Sequence, residues 1–249
     1  MLRTAMSGAS LVACPTVLRA QAPKLLRLSH QFPGGTLEHG DARDRVCRRF
    51  AQEIKKRTSG SLAVQVYPSS SLMKTLAQFS SVRKGTLDMG LIPLAYAGDE
   101  VPEANVALMP TLVTNYDQAL KWRNARVGEQ LAKTLADQGV IIVTWVWQSG
   151  AVASCVHPIL VPADVAGVSI RGGSRAMDLV FQASGGIVSS MPSNEMYVGM
   201  QTGVLEAAVS ASTSLISFRL DDMTKNLTAG RGQSFWFMLE PLMMSKITF

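Results

Sequence analysis

One stretch of the sequence constrains the fold more than any other: a β-branched run that ends in an arginine and two glycines, directly before a helical pattern. Residues 168–170 (Val, Ser, Ile) fit a buried strand, because branched side chains pack well on a pleated surface. Ser174 can then cap a helix whose apolar stripe runs to Gly185, and Ile187 begins another strand. Such strand-helix-strand units belong to α/β folds, whose ligands bind beyond the carboxyl ends of the strands.

Arg171 stands at that end of its strand, immediately before Gly172 and Gly173. A guanidinium matches a carboxylate with two parallel hydrogen bonds and stays protonated, so this position favours an arginine that holds an anionic ligand. A structural salt bridge is the competing interpretation, and the residues alone leave both open.

The first part of the chain also alternates between strand and helix patterns. Strands are predicted at residues 25–30, 62–66 and 87–92, separated by a long amphipathic helix that ends near Gly60 and by a helix at residues 74–84. This alternation predicts a parallel sheet. Because 47% of the residues are hydrophobic and only 17% are charged, the chain has enough apolar surface for a large core.

The first long helix carries the densest group of basic side chains. Its basic residues are Arg43, Arg45, Arg48, Arg49, Lys55, Lys56 and Arg57. Because Asp41, Asp44 and Glu53 are interleaved with them, we predict a solvated helix face and no nucleic-acid partner. The formal net charge of +6 favours the approach of an anionic small ligand without selecting one.

Two segments predict crossings between separate halves of the molecule. Residues 140–147 form one long strand pattern, which is long enough to leave one sheet and enter another, and residues 235–244 are again strand-like. We therefore predict a first α/β lobe at residues 23–147, a second at residues 148–232, and a return strand to the first lobe at residues 233–249.

The first 22 residues resemble a signal peptide. Arg3 precedes an apolar run, and Ala20-Gln21-Ala22 has the small-x-small form that signal peptidase cuts. We predict a leader at residues 1–22 and a mature protein exported to the periplasm. Cys14 allows an alternative, a lipid-attachment site, although the segment before it is short. No other stretch approaches 18 uninterrupted apolar residues.

Other side chains offer fewer chemical possibilities. Gln31 and Gln148 lie at predicted strand ends and could donate amide hydrogens to a ligand, and Trp147 could form a cleft wall or pack in the core. The three histidines lack metal-ligand spacing, and the sequence contains neither a nucleophile elbow nor a phosphate loop. We therefore expect no catalytic residues, no metal and no cofactor. A small exported enzyme is the alternative.

Several spaced motifs resemble one known family over residues 25–249. These are Tyr67-Pro-Ser-Ser-Ser-Leu72, Gly85-Thr-Leu-Asp-Met89, Pro162-Ala-Asp-Val-Ala-Gly-Val-Ser-Ile-Arg171 and Glu195-Met-Tyr-Val-Gly-Met-Gln-Thr-Gly-Val-Leu-Glu206. Together they are similar to the substrate-binding proteins of tripartite ATP-independent periplasmic (TRAP) transporters, the DctP-like family. The resemblance implies two α/β lobes with a ligand cleft between them. It also implies delivery of an organic acid to membrane transporter subunits, by a receptor that we expect to be monomeric. A sensory module with the same fold is a further alternative.

The resemblance also implies roles for particular positions. Members of the family carry an arginine at the Arg171 position that pairs with the ligand carboxylate. Ser210 stands where many members have an asparagine on the ligand, and Ser193 where sialic-acid binders have an aromatic residue. Those binders have a second arginine at about Ala151, so we predict a monocarboxylate other than sialic acid. The family usually continues beyond Phe249 with helices that brace the lobes, so the resemblance implies a fold that lacks those C-terminal helices.

Overall fold

The computed structural model describes residues 22–249, and almost all of the predicted leader lies outside them. The strands are β1 (Lys24–His30), β2 (Leu62–Tyr67), β3 (Met89–Leu91), β4 (Val140–Thr144), β5 (Trp147–Ser154), β6 (Ser169–Arg171), β7 (Ile187–Val188), β8 (Ala207–Ala211), β9 (Asn226–Thr228), β10 (Phe237–Leu239) and β11 (Leu242–Ser245). The α-helices are α1 (Ala42–Arg57), α2 (Gln78–Arg83), α3 (Tyr116–Lys121), α4 (Arg126–Asp137), α5 (Arg175–Ala183), α6 (Met196–Gln201) and α7 (Ser212–Ser217). Short 3₁₀ turns connect several of them, including those at Leu94–Ala97 and Ser193–Glu195.

The strands form two mixed sheets. The first has the order β2-β1-β3-β11-β4, and β1 runs parallel to both β2 and β3, as the strand-helix alternation predicts. The second has the order β10-β5-β8-β6-β7, with β9 paired to β5. Within the second sheet β6 is parallel to β7 and β8, so the predicted strand-helix-strand unit around α5 is confirmed.

The two crossings between the sheets each contain a break that the sequence pattern did not predict. Residues 140–147 form two strands, with β4 in the first sheet and β5 in the second. Residues 235–244 likewise divide into β10, in the second sheet, and β11, in the first. The single strands predicted for these segments are therefore wrong. The physical reason is local: Pro241 has no N–H to donate to a continuous ladder, and the Glu240 N–H instead donates to Val146 O at 2.7 Å.

Each sheet packs apolar side chains on both of its faces. Around the first sheet these include Phe79, Leu135, Leu28 and Phe32, and around the second they include Ile170, Trp236, Met196 and Leu215. Trp236 is fully buried, and its indole N–H donates to Leu108 O at 2.8 Å. Apolar clusters on the faces of each sheet support the two-lobed arrangement, whereas the lobe boundaries at residues 147 and 232 remain predictions. Among the described helices, none is both long and apolar enough to cross a membrane.

Helix α1 departs from its predicted role at its first turn. Asp41 caps the helix by accepting a hydrogen bond from Arg43 N at 2.8 Å. Arg43 was predicted to lie on a solvated basic face, but this prediction is wrong for that residue, because its side chain is fully buried. Two carboxylates, Asp41 and Glu240, surround its guanidinium and offset the loss of its hydration.

Candidate functional site

The geometry of Arg171 is set by the end of β6 and the turn that follows it. The side chain is only 3% exposed. Its Nε donates to Met191 O at 3.0 Å, and its Nη1 donates to Val209 O on β8 at 2.8 Å. Nη2 donates to no other described residue. Two backbone carbonyls therefore hold Nε and Nη1, while Nη2 remains able to bind an anion.

The turn after Arg171 explains why the sequence places glycines there. Gly173 has a φ of +86°, and a Cβ at this position would lie 2.8 Å from Arg171 Nη1. Any larger residue would therefore press on the guanidinium in a backbone conformation that favours glycine. Ser174 then caps α5 by accepting from Met177 N at 3.3 Å, which confirms the predicted cap.

Arg171 lines an open cleft of about 530 Å³. The cleft is lined from both halves of the chain, by Tyr96 and Asp99 on one side and by Arg171, Arg175, Asp178 and Ser190 on the other. Residues of both charge signs face it, so the cleft is polar and suited to a small charged solute.

Direct hydrogen bonds join the two sides of this cleft. The Tyr96 hydroxyl accepts from Ser193 N at 2.9 Å and, more weakly, from Gln31 Nε2 at 3.4 Å. Thr75 Oγ1 donates to Asn194 Oδ1 at 3.0 Å. The predicted site residues Gln31 and Ser193 are therefore brought together through Tyr96, near Arg171.

Three other predicted site residues are buried in different surroundings. Gln148 accepts from Thr213 Oγ1 at 3.0 Å. Trp147 packs in the first core with its ring 5.3 Å from that of Trp122, and its indole N–H has no described partner. Ser210 is fully buried beside Ala151 on the neighbouring strand, and its hydroxyl also lacks a described partner. Ligand contact by these three residues, as by the whole predicted set, remains a prediction.

A buried network of charges lies between the two sheets. Arg43 Nη2 contacts Asp41 Oδ2 at 2.7 Å, Arg43 Nη1 contacts both Glu240 oxygens at 3.2 Å, and Nη1 also donates to Ser214 Oγ on α7 at 2.9 Å. Burial works to raise the pKa of Asp41, but its hydrogen bond from Arg43 and the charge of Arg43 outweigh burial, so the pKa lies below its usual value. For Glu240 burial prevails and raises the pKa. One arginine thus connects a helix beside the first sheet, a crossing segment and a helix beside the second.

Sequence reasoning missed several residues at this site. Tyr96, Thr75, Asn194 and Asp178 take part in the cleft or in its bridges, yet none belongs to a motif or an informative spacing. Contact between them depends on how the two lobes approach each other, which the local pattern does not encode. Among residues 22–249, no group of histidine, cysteine, aspartate and glutamate side chains could hold a metal ion.

Two sheets joined by crossing segments around an arginine-lined cleft define a two-lobed solute-binding protein. Comparison with known proteins then gives the family. Residues 28–248 match the DctP family, described as bacterial extracellular solute-binding protein, family 7. The chain belongs to this family, the solute-binding proteins of TRAP transporters.

Individual relatives agree with the family match. A solute-binding protein from Albidiferax ferrireducens is 52% identical over 248 residues, covering 100% of this chain and 73% of the relative. The crystal structure of a TRAP periplasmic solute-binding protein from Rhodoferax ferrireducens, with bound malonate, has a TM-score of 0.87 and 55% identity, covering 89% of this chain and 70% of the other. A TRAP periplasmic solute-binding protein from a Sulfitobacter species, solved with bound β-D-galacturonate, has a TM-score of 0.80 at 23% identity, covering 90% and 73%, and so supports the fold alone.

Proposed function

We propose that this protein captures a small organic carboxylate in the Arg171 cleft and delivers it to the membrane subunits of a TRAP transporter. One observation carries the proposal: a buried guanidinium lines the cleft with Nε and Nη1 held by carbonyls and with Nη2 lacking a partner among the described residues. Buried charges normally require a counter-charge, and a ligand carboxylate supplies one with matching geometry. The malonate in the Rhodoferax ferrireducens relative is a carboxylate of this kind.

The other predicted site residues have supporting roles in this proposal. Gln31 and Ser193 flank the Tyr96 hydroxyl, where they would order the side of the ligand that faces away from Arg171. Ser210 and Trp147 each have a buried polar atom without a described partner, which a ligand atom or a bound water could satisfy. Gln148 would act less directly, by fixing Thr213. The receptor acts as a monomer that releases its ligand chemically unchanged.

A thermal-shift screen of mono- and dicarboxylates tests the proposal. A ligand present at one hundred times its dissociation constant stabilises the folded state by about 2.7 kcal/mol, which raises the melting temperature measurably. We expect at least one acid to stabilise the wild-type protein and to shift the melting temperature of Arg171→Ala much less. Equal shifts for both proteins would overturn the assignment of Arg171, and mass spectrometry of the released acid would detect any turnover.

The proposal places the mature receptor in the periplasm. Its support is the Arg3 and Ala20-Gln21-Ala22 pattern together with membership of an extracellular solute-binding family. Expression of the full sequence in a Gram-negative host should yield periplasmic protein whose intact mass corresponds to a start near Pro23. Recovery from the cytosol alone, with Met1 retained, would contradict export.

A further inference from the structure

Asp178 is an acidic residue that lines the same cleft as Arg171. It lies in the first turn of α5 and is half-buried. Ser190 Oγ donates to its Oδ2 at 3.1 Å, whereas its Oδ1 is buried and has no hydrogen-bond partner among the described residues. The amide of Gly172 lies close enough to this carboxylate to favour its ionised form, but no donor meets hydrogen-bond geometry at Oδ1. One oxygen of Asp178 therefore lacks a donor.

Arg171 does not supply that donor, although the two side chains are neighbours. Its Nε and Nη1 donate to backbone carbonyls, and no ion pair joins it to Asp178 in the part of the chain that the structure describes. A cation and an anion thus line one cleft without a direct contact between them. A ligand that binds there meets the guanidinium of Arg171, which can only donate hydrogen bonds, and the carboxylate of Asp178, which can only accept them when it is ionised.

When Asp178 is ionised, this arrangement is costly for a ligand with acceptors alone. Burial raises the pKa of Asp178, whereas the Ser190 hydrogen bond, the positive charge of Arg171 and the Gly172 amide act in the opposite direction and favour the ionised form. A second acceptor beside it, such as a keto oxygen or another carboxylate, adds repulsion and leaves Oδ1 without a donor. A hydroxyl beside the bound carboxylate would instead donate to it.

We infer that Asp178 selects carboxylate ligands that carry a hydroxyl group close to the carboxylate held by Arg171, so that hydroxy acids bind more tightly than unsubstituted or keto acids of the same size. The inference rests on the proposed carboxylate-binding function and names the substrate class. It makes Asp178 a specificity-determining residue that accepts a hydrogen bond from the ligand.

A purely structural role predicts different results. An acidic side chain in the first turn stabilises α5 through the helix dipole, and the bond to Ser190 links the helix to the segment after β7. Loss of either effect lowers the stability of the protein and weakens all ligands together. The ratio of affinities between a hydroxy acid and its unsubstituted analogue does not change in that case.

Isothermal titration calorimetry with two matched series measures this ratio. The first series is propionate, pyruvate and both enantiomers of lactate, and the second is malonate and hydroxymalonate. In the wild-type protein we expect one lactate enantiomer and hydroxymalonate to bind about tenfold or more tightly than their unsubstituted analogues. This expectation follows because leaving a buried polar group unsatisfied costs about 1–3 kcal/mol, and about 1.4 kcal/mol corresponds to tenfold in affinity.

The variant Asp178→Asn tests the assignment, because it keeps the size of the side chain and removes its charge. We expect the hydroxyl preference to fall to about threefold or less and malonate to bind more tightly than in the wild-type protein. Asp164→Asn is the matched control: Asp164 accepts from two backbone amides in a turn that does not line the cleft, so the wild-type ratio should persist.

Three results would overturn the inference and leave the proposed function in place. These are an equal or greater preference for pyruvate, an absence of any hydroxyl preference, and a preference that Asp178→Asn leaves intact. If the acids still bind and Arg171→Ala abolishes their binding, the proposed function stands and only the role of Asp178 fails. Binding of no acid, either in these series or in the thermal-shift screen, overturns both.

Discussion

Arg171 on β6 is held by Val209 on β8: the guanidinium Nη1 donates to the Val209 carbonyl at a distance of 2.8 Å. The contact crosses between parallel neighbouring strands of the second sheet. It orients the planar group toward the cleft without using a carboxylate from the protein. The same contact means that removing Arg171 leaves two carbonyl acceptors without this donor, so stability and ligand affinity must be measured separately.

The first prediction concerns the affinity of this arginine for the ligand. Loss of one partner of a desolvated charge pair costs about 2 to 5 kcal/mol, so Arg171→Ala should weaken binding roughly thirty- to several-thousand-fold. Arg171→Lys should restore only part of the affinity, because an ammonium keeps the charge and lacks the planar fork. Calorimetry with the best acid from the screen measures both.

Arg175→Ala is the control for the Arg171 variants. Arg175 lines the same cleft but is exposed, so its loss should change affinity much less. Equal losses in the two alanine variants would show that general positive charge, and not the buried fork of Arg171, attracts the ligand.

The second prediction concerns the buried network around Arg43. Arg43→Met preserves much of the side-chain volume but leaves the carboxylates of Asp41 and Glu240 without their buried cation. Removal of one partner from a buried ion pair typically costs about 3–5 kcal/mol. Urea unfolding should show a loss of this size, whereas Arg57→Met, at an exposed pair with Glu53, should leave the midpoint nearly unchanged. If Arg43→Met unfolds at the same urea concentration as the wild-type protein, the network adds no stability.

The third prediction concerns the loss of stability in acid. Burial alone would raise the pKa of Asp44, but hydrogen bonds from His30 and Arg48 outweigh it, so the pKa lies below the usual value of 3.8. A carboxyl with a lowered pKa in the folded state contributes stability above its unfolded pKa and loses it as the pH falls through the folded value. Asp44 should therefore stabilise the protein at pH 7 and contribute to unfolding below about pH 4.

Asp44→Asn provides the measurement for this third prediction. The variant should be less stable than the wild-type protein at pH 7 and should lose less further stability between pH 5 and pH 3 in denaturant titrations. Asp117→Asn, at an exposed position on α3, should keep the wild-type pH dependence. If Asp44→Asn also keeps it, the contacts to His30 and Arg48 do not stabilise the ionised form.

The fourth prediction concerns closure of the cleft. A ligand that contacts both lobes binds the closed form better and shifts its population, so small-angle scattering should give a smaller radius of gyration with ligand than without.

Tyr96→Phe removes the hydroxyl that accepts from Ser193 and Gln31. A typical hydrogen bond contributes about 0.5–1.5 kcal/mol, so ligand affinity should fall by up to about tenfold.

Tyr116→Phe is the matched control for closure. Its hydroxyl accepts from Ser149 N at 3.3 Å, and the residue does not line the cleft, so ligand affinity should be unchanged. A radius of gyration that does not respond to saturating ligand would instead indicate a rigid pocket. If Tyr96→Phe and the wild-type protein bind the ligand equally well, the hydrogen bonds of the Tyr96 hydroxyl do not contribute to closure.

Local order along the chain was predictable from the sequence. The strand ending at Arg171, the cap at Ser174 and the parallel start of the first sheet follow from periodicity, capping and turn residues, which act between near neighbours. The spaced motifs also indicated the family before any contact was known. Arg171 could be singled out by its position at a strand end before two glycines, but the residues alone left open whether it binds a ligand or forms a structural salt bridge.

Only the tertiary structure decided which distant groups meet. By sequence, Arg43 belongs to a basic helix face. In the structure its guanidinium is buried between Asp41 and Glu240, and Glu240 lies almost two hundred residues further along the chain. Tyr96 meets Ser193, and Thr75 meets Asn194, although no spacing connects these pairs. The reason is physical: side-chain periodicity fixes the face on which a residue lies, whereas the two crossings between the sheets fix which faces come together.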